Sequence, residues 1–251
     1  MNLDLKDRTF LVTAASRGLG FSVAKSLTNE EAEVIICGRN EESLKKATKT
    51  LGKLAHYYVA DLSKKEDVIK LIRNIAAETD HIDGLFVNAG GPPPGVFSNL
   101  SDDDWKKAID LTLMSAVWLT REALPLLKMS NSPSILYSTS ISVKQPIDNL
   151  LLSNAIRPAV IGMMRTLASE LAPYNIRVNA ICPGYISTER TEQLMAASES
   201  GAENINAKIP LGRMGKPEEF GPVCAFLLSP VASYIHGALL LVDGGLYQGM
   251  M

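Results

Sequence analysis

Short apolar runs alternate along this chain with longer amphipathic stretches. A run such as Glu33–Cys37 (EVIIC) carries apolar side chains at successive positions, which is typical of a strand buried on both faces of a sheet. The stretch that follows it, Glu41–Leu51, is rich in Glu and Lys and has the length of a helix. The predicted strands are Thr9–Thr13, Glu33–Cys37, Leu54–Val59, Ile82–Val87, Ser134–Thr139, Ile176–Ile181 and Ala238–Val242. The predicted helices are Gly18–Thr28, Glu41–Leu51, Lys64–Thr79, Asp102–Lys128, Ser153–Leu171 and Pro217–Leu228.

This alternation predicts the fold class. Strands that are apolar on both faces and joined by helices form a parallel sheet that is covered on both sides. We therefore expect an α/β protein with a single Rossmann-type, doubly wound parallel sheet of about seven strands and helices on both faces. The period is too irregular for a solenoid, and no stretch resembles an interdomain linker. The 251 residues are expected to form one domain.

Two loops interrupt the pattern. Gly90–Gly95 contains three prolines, which fix φ and remove hydrogen-bond donors, so the segment is expected to be stiff and to stay outside the sheet. Ser101 then precedes the acidic cluster Asp102–Asp104, which we interpret as the capped start of a helix rather than a metal site. The polar segment Thr188–Pro210 is expected to form a mobile lid or short helices beside a pocket.

Composition and charge exclude several classes of protein. Apolar residues make up 46% of the chain and charged residues 21%, which excludes disorder and fibrous repeats. The formal net charge of −2 argues against a nucleic-acid partner, because such proteins need a basic face. No apolar run approaches the roughly 18 residues of a membrane span, and the first residues lack the apolar core of a signal peptide. We expect no membrane partner.

The cysteines indicate the compartment. Cys37, Cys182 and Cys224 lie far apart in the sequence and form no CxxC pair. Neither a disulfide framework nor a zinc site is expected, and the three histidines are scattered, so we predict no metal. A reducing compartment is the simplest interpretation, and we expect the protein to be cytoplasmic.

A glycine-containing loop follows the first strand. The run Thr13–Gly20 (TAASRGLG) leads from that strand into the first helix. Glycines at such a place let a phosphate approach the backbone N–H groups at the positive end of a helix. Gly18-x-Gly20 alone is a weak signal, but its position in an alternating α/β chain strengthens it. The alternative is that these glycines only form a tight turn.

At this point the chain resembles the short-chain dehydrogenase/reductase family over nearly its whole length. The resemblance implies a dinucleotide-binding domain over residues 1–251 and an oxidoreductase activity on a carbonyl or secondary alcohol. Ala14 stands where the family has its first glycine, and alanine fits there only with a negative φ. The motifs that carry the resemblance are Thr13–Gly20, Asp61–Leu62, Val87–Gly90, Pro183–Thr188, Pro210–Arg213 with Pro217–Glu219, and Val242–Gly245.

The resemblance also implies which residues bind the cofactor. Asp61 would bind the adenine, Asn88–Gly90 would lie along the cofactor, and Ile186 and Thr188 would hold the nicotinamide amide. The full predicted set of cofactor-binding residues is Thr13, Ser16, Arg17, Gly18, Leu19, Gly20, Arg39, Asp61, Leu62, Asn88, Ala89, Gly90, Pro183, Gly184, Ile186 and Thr188.

The end of the second strand predicts the choice of coenzyme. An NAD site usually places a carboxylate there to accept from the ribose 2′-hydroxyl, but here no carboxylate occurs before Glu41. Arg39 and Arg17 are both placed to meet a 2′-phosphate through charge-assisted hydrogen bonds. We predict NADP(H) over NAD(H). The alternative is that both arginines are solvated surface residues.

The family's catalytic group is altered in this chain. In the family it consists of a serine, a tyrosine, a lysine four residues after the tyrosine, and an asparagine on the preceding long helix. Ser140 fits the serine position, and Ser153 stands where the tyrosine belongs. Arg157 takes the place of the lysine and Thr112 that of the asparagine. These four are the predicted catalytic residues.

The replacements change the proton chemistry. A serine hydroxyl is shorter than a tyrosine and is a poor general acid, and Arg157 stays charged, so it binds hydroxyls but carries no proton. Loss of one general acid typically lowers a rate by about 10²–10⁴. Asp148 and Tyr185 are candidate substitute donors, or ordinary loop residues. Because Pro158 follows Arg157 directly, the helix either begins nearer Asn154 or is kinked at the site.

Three functions remain open at this stage. The leading hypothesis is an NADP-dependent oxidoreductase for a small-molecule carbonyl or secondary alcohol, with a non-standard proton relay. The alternatives are a nucleotide-binding scaffold or sensor without redox turnover, and a dehydratase or isomerase that uses Ser140 and a loop carboxylate. The helices Asp102–Lys128 and Ser153–Leu171 are more apolar than one buried face requires, so we also predict a homo-oligomer, a dimer or a tetramer.

Overall fold

A seven-stranded parallel sheet forms the centre of the molecule in the computed structural model, which describes residues 2–196 and 201–250. The strand order is β3-β2-β1-β4-β5-β6-β7, and every neighbouring pair is parallel. The strands are β1 (Thr9–Val12), β2 (Glu33–Gly38), β3 (Ala55–Val59), β4 (Gly84–Val87), β5 (Ser134–Ser138), β6 (Arg177–Pro183) and β7 (Leu239–Val242). The predicted doubly wound sheet is confirmed, with strand ends that differ from the prediction by one or two residues.

Helices cover both faces of this sheet. They are α1 (Gly18–Asn29), α2 (Glu41–Leu51), α3 (Lys65–Ala76), α4 (Asp102–Ile109), α5 (Ser115–Leu127), α6 (Leu151–Leu171), α7 (Glu189–Ala196), α8 (Gly201–Lys208) and α9 (Pro217–Leu228). Each helix that the pattern predicts is present. The segment Thr188–Pro210 contains α7 and α8, as the short-helix alternative expected, although residues 197–200 lie outside the described part.

Burial on both faces explains why the strands read as continuous apolar runs. Phe10 and Val12 of β1 pack into one core with α1, α2 and α9. Leu11, between them, packs into the opposite core with α3, α5 and α6. All three side chains are fully buried, because successive residues of a strand point to opposite faces. The middle positions of the central strands are therefore apolar, as in β1 and β4.

The long helix predicted over Asp102–Lys128 is interrupted. A π-helical turn, Asp110–Met114, separates α4 from α5. Side-chain periodicity does not reveal such a turn, because it changes the backbone hydrogen bonds and inserts a single residue into the register. The start of α4 matches its prediction, since Ser101 and Asp104 form a capping box.

Helix α6 begins earlier than one alternative expected. It starts at Leu151 rather than near Asn154, which leaves Pro158 inside the helix. A proline there cannot donate to the carbonyl one turn back. The Asn154 side chain bonds both backbone groups of Ile147, which fixes the preceding loop against the helix start.

In the described part of the chain, no helix combines the length and hydropathy of a membrane span, and no cluster of three metal-ligating side chains occurs.

Candidate active site

A cavity of about 450 Å³ opens at the carboxyl ends of the strands. It lies where the strand order reverses between β1 and β4, which is the usual ligand site of an open α/β sheet. Most of the residues predicted from the sequence line it. They are Ser16, Arg17, Gly18, Leu19, Arg39, Asp61, Leu62, Asn88, Ala89, Gly90, Ser140, Ser153, Arg157, Pro183, Gly184, Ile186 and Thr188.

Thr13 does not line the cavity, but its hydrogen bonds hold the strand ends that form the cavity floor. Its side chain is fully buried, and its Oγ1 accepts from the Asn88 backbone N–H at 2.8 Å. The Asn88 amide group in turn donates to the carbonyls of Thr13 and Ala14, both at 3.3 Å. These bonds join the ends of β1 and β4, so they fix the floor of the cavity.

Gly20 lets α1 approach the turn that precedes it. A Cβ at Gly20 would lie 2.7 Å from the Ala14 carbonyl oxygen and 2.9 Å from the Cα of Ala15. Both neighbours are backbone atoms, so they cannot swing away. Gly20 therefore serves helix packing, whereas Gly18 has a φ of +61° that suits the turn itself.

Ala14 contradicts the expected backbone conformation. Its φ is +48°, although a negative value was predicted. The turn requires the left-handed region at this position, which explains why a glycine fits here. An alanine in that region costs roughly 1–2 kcal/mol, and the Asn88 bond to its carbonyl helps to hold it.

The start of α1 is suited to a phosphate. The helix has no side-chain cap, and its first turn contains no acidic residue. Its first intrahelical bond is donated by Phe21 to the Arg17 carbonyl. The N–H groups before Phe21 therefore have no partner within the helix, and they lie at the end of the helix that meets the cavity. Asp61 supplies a carboxylate nearby, which Ser63 holds through its N–H and hydroxyl. An uncapped positive helix end beside a long cavity fits a dinucleotide.

The two arginines predicted to bind the 2′-phosphate differ in their contacts. Arg17 forms an ion pair with Glu189 of α7, and its side chain is 70% exposed. Arg39 also lines the cavity. Glu41, the first acid after β2, is held by Lys45 at 3.0 Å, and that bond lowers the pKa of its carboxyl. No carboxylate of this segment therefore takes the position expected for an NAD ribose.

Ser153 and Arg157 are joined on one face of α6. Arg157 Nε donates to Ser153 Oγ at 3.1 Å. The same Oγ lies 3.0 Å from the hydroxyl of Ser142, and the Ser142 N–H donates to Ser140 Oγ at 3.1 Å. Ser142 was not singled out from the sequence, because a serine two residues after Ser140 carries no distinctive pattern. The four residues form one connected network.

Arg157 is held by the end of β5. Its Nη1 donates to the carbonyls of Ser138, at 3.3 Å, and Thr139, at 3.0 Å. Burial, and then the charge of Arg190, lower the pKa of Arg157 to about 10. The guanidinium is therefore still charged at neutral pH, as predicted, and its position is fixed from two sides.

Thr112 does not line the main cavity but adjoins a small void that Arg157 also lines. It lies in the π-helical turn, and its buried hydroxyl has no hydrogen-bond partner within the described residues. A small void of about 10 Å³ adjoins it, which Arg157 and Tyr137 also line. Its catalytic role stays a prediction.

The two candidate substitute donors lie apart from this network. Asp148 and Tyr185 are absent from the described lining of the main cavity. Burial, and then the charge of Asp148, raise the pKa of Tyr185. Both effects favour the protonated phenol. Neither residue has a contact with Ser140 or Ser153 in the described structure.

Comparison with known proteins identifies the family. The family described as Enoyl-(Acyl carrier protein) reductase matches residues 13–247. The 3-oxoacyl-[acyl-carrier-protein] reductase FabG of Chlamydia trachomatis is 33% identical over 247 residues, which are 96% of this chain and 98% of the relative. Dehydrogenase/reductase SDR family member 4 of Homo sapiens is 31% identical and covers 96% of this chain and 88% of its own length. The chain belongs to the short-chain dehydrogenase/reductase family.

Solved short-chain dehydrogenase/reductase structures match the whole fold. L-Sorbose reductase from Gluconobacter frateurii, complexed with NADPH and L-sorbose, superposes with a TM-score of 0.94 at 26% identity and 100% coverage of both chains. An NADPH-bound short chain oxidoreductase from Pseudomonas aeruginosa, described as containing an atypical catalytic center, has a TM-score of 0.90 at 28% identity. It covers 97% of this chain and 99% of its own. The predicted family, fold and oxidoreductase class are confirmed, and the predicted NADP agrees with these neighbours.

Proposed function

We propose that this protein is an NADP(H)-dependent oxidoreductase that interconverts a small-molecule carbonyl compound and a secondary alcohol through a non-standard proton relay. The observation that carries the proposal is the hydrogen bond from Arg157 to Ser153. Both residues line the cavity that also borders the glycine-containing loop. The bond supports the proposal because a charged group and a hydroxyl are joined at the positions that the resemblance assigns to the family's lysine and tyrosine.

The coenzyme would be held by residues along the cavity. The free N–H groups at Gly18–Gly20 would bind its diphosphate, and Asp61 its adenine. Arg17 and Arg39 would bind the 2′-phosphate, with Ile186 and Thr188 at the carboxamide. When bound, NADPH supplies the hydride that reduces the substrate carbon.

The substrate oxygen would meet Ser140 and Ser153. Because Ser153 Oγ accepts from Arg157, its own hydrogen is available to Ser142 or to a substrate oxygen. The charge of Arg157 favours the negative charge that develops on that oxygen during reduction. Since a serine is a much weaker acid than a tyrosine, turnover is expected to be slower than with the family's tyrosine, by about 10²–10⁴.

A reductase assay tests this proposal. The purified protein is given NADPH and a panel of ketones, 3-oxoacyl thioesters, ketoses and oxo acids, and the absorbance of NADPH is followed. We expect slow oxidation with at least one carbonyl class. Binding of NADPH without oxidation by any of them would favour the alternative, a nucleotide-binding scaffold or sensor without redox turnover.

The apolar faces of α5 and α6 favour a homo-oligomer, either a dimer or a tetramer. Trp118, Leu124, Ile161 and Leu167 are only partly buried, although they belong to the two most apolar helices. Light scattering at micromolar concentration is expected to give a dimer or a tetramer, and a monomer would overturn this point.

The three buried free cysteines fit a reducing compartment, so the cytoplasm is the proposed location.

A further inference from the structure

Arg190 of α7 is a cavity residue that sequence analysis did not single out. Its Nη2 donates to the Pro92 carbonyl at 2.5 Å. Its Nε and Nη2 both lie 3.2 Å from the place where Gly91 would carry a Cβ. The side chain is half-buried, and this burial lowers its pKa. Arg190 is thus packed against the proline-rich loop and contributes a positive charge to the cavity.

Arg157 and Arg190 line the same cavity and repel each other. The charge of Arg190 is one cause of the lowered pKa of Arg157. Arg8, Arg17 and Arg213 have acidic partners. Among the side chains that the structure describes, no carboxylate lies within 4.0 Å of either Arg157 or Arg190. Two partly buried cations without a counter-charge are costly, unless a ligand supplies the anion.

The hydrogen bonds of Arg157 leave one edge of its guanidinium available. Nε and Nη1 are occupied by Ser153 and by the carbonyls of Ser138 and Thr139. No bond from Nη2 to another described residue occurs. A fixed planar guanidinium with free N–H groups is suited to the oxygens of a carboxylate or a phosphate.

The 2′-phosphate of the coenzyme would lie elsewhere. The 2′-phosphate residues Arg17 and Arg39 belong to the β1 and β2 side of the sheet. Arg157 is bound to the end of β5, which β1 and β4 separate from β2. At about 4.8 Å between neighbouring strands, β2 and β5 are about 15 Å apart. An anion between Arg157 and Arg190 would therefore be separate from the 2′-phosphate.

We propose that the substrate of this enzyme carries an anionic group, a carboxylate or a phosphate, that binds between Arg157 and Arg190. The proposal rests on the oxidoreductase function proposed above, since it names the class of substrate for the same cavity.

Calorimetric titration tests this without turnover. NADP⁺ is first titrated into the protein, and the saturated complex is then titrated with oxamate, with its neutral counterpart oxamide, and with inorganic phosphate. One of the two anions is expected to bind at least tenfold more tightly than oxamide. Preference for oxamate would assign a carboxylate, and preference for phosphate a phosphate ester.

Variants at Arg190 assign the binding to this residue. Arg190→Gln is expected to weaken the anion about tenfold or more and to leave oxamide unchanged, whereas Arg190→Lys retains part of the binding. Arg73→Gln, on the exposed side of α3, is the matched control and is expected to change nothing. Thermal unfolding shows that each variant is folded.

The outcomes separate the two proposals. If NADP⁺ does not bind, the proposed oxidoreductase function is overturned. If NADP⁺ binds but neither anion binds more tightly than oxamide, only the anionic substrate is overturned. The same holds if Arg190→Gln weakens NADP⁺ and leaves anion binding as it was, because Arg190 would then serve the coenzyme.

Discussion

Arg157 Nε donates to Ser153 Oγ at 3.1 Å, which joins the two residues predicted at the family's lysine and tyrosine positions. They are four residues apart and share a face of α6. The bond therefore links the arginine to the hydroxyl that we propose for the proton relay.

Removal of the Ser153 hydroxyl is expected to lower turnover strongly. Ser153→Ala deletes the acceptor of Arg157 Nε and the hydroxyl that we propose to meet the substrate oxygen. We predict a fall in kcat of about 10²-fold or more with the substrate found in the reductase assay, and little change in NADPH affinity. Thr166→Ala, on the exposed side of the same helix, is the control. Equal kcat values for Ser153→Ala and the control would remove Ser153 from the relay.

Arg157→Lys is expected to introduce a pH dependence. The pKa of Arg157 is lowered to about 10, so the wild-type cation persists until the pH approaches that value. A lysine starts from an ordinary pKa of about 10.4, and the same burial and the same neighbouring charge lower that pKa. Its charged form exists only below its pKa, so kcat/KM of the variant falls as the pH rises.

The measurement is kcat/KM between about pH 6 and pH 9 for both proteins. The wild-type profile is expected to be flat with respect to Arg157, and the variant profile to decline. Parallel profiles would show that the positive charge at this position is not used in the reaction.

The fold could be predicted from the sequence more fully than the site. Strands such as β1 are buried at every position and apolar at all but the first, because both faces are covered, and that pattern is visible in the sequence. The π-helical turn at Asp110–Met114 and the positive φ of Ala14 are backbone features that side-chain type does not encode. Arg190 was missed because a single arginine in a polar segment has no periodicity, and only the fold brings it to Gly91.

Gly20 is expected to be required for the close approach of α1 to the turn that precedes it. In Gly20→Ala the new Cβ would meet the Ala14 carbonyl oxygen at 2.7 Å, so the helix start has to shift. We predict a loss of about 1–3 kcal/mol in the free energy of unfolding, together with weaker NADPH binding. Gly162→Ala is the matched control, since its Cβ would meet nothing within 4 Å. Urea denaturation of both variants checks this, and equal effects would contradict it.

Ala14→Gly is expected to stabilise the protein. The φ of +48° is unfavourable for alanine and free of cost for glycine. After the greater entropy of glycine in the unfolded chain is subtracted, the gain in the free energy of unfolding is roughly 0.5–1 kcal/mol. Ala15→Gly, where no positive φ occurs, should lose a similar amount. A loss of stability in Ala14→Gly, measured by urea denaturation, would show that the turn favours alanine.

Calorimetric titration of the wild-type protein with NADPH and NADH tests the central claim most directly. We predict that NADPH binds more tightly than NADH, and that Arg39→Gln weakens NADPH about tenfold or more while it leaves NADH unchanged. Arg73→Gln again serves as the control. If neither coenzyme binds, or if NADH binds the more tightly, the result contradicts an NADP(H) site at the carboxyl ends of β1 and β4.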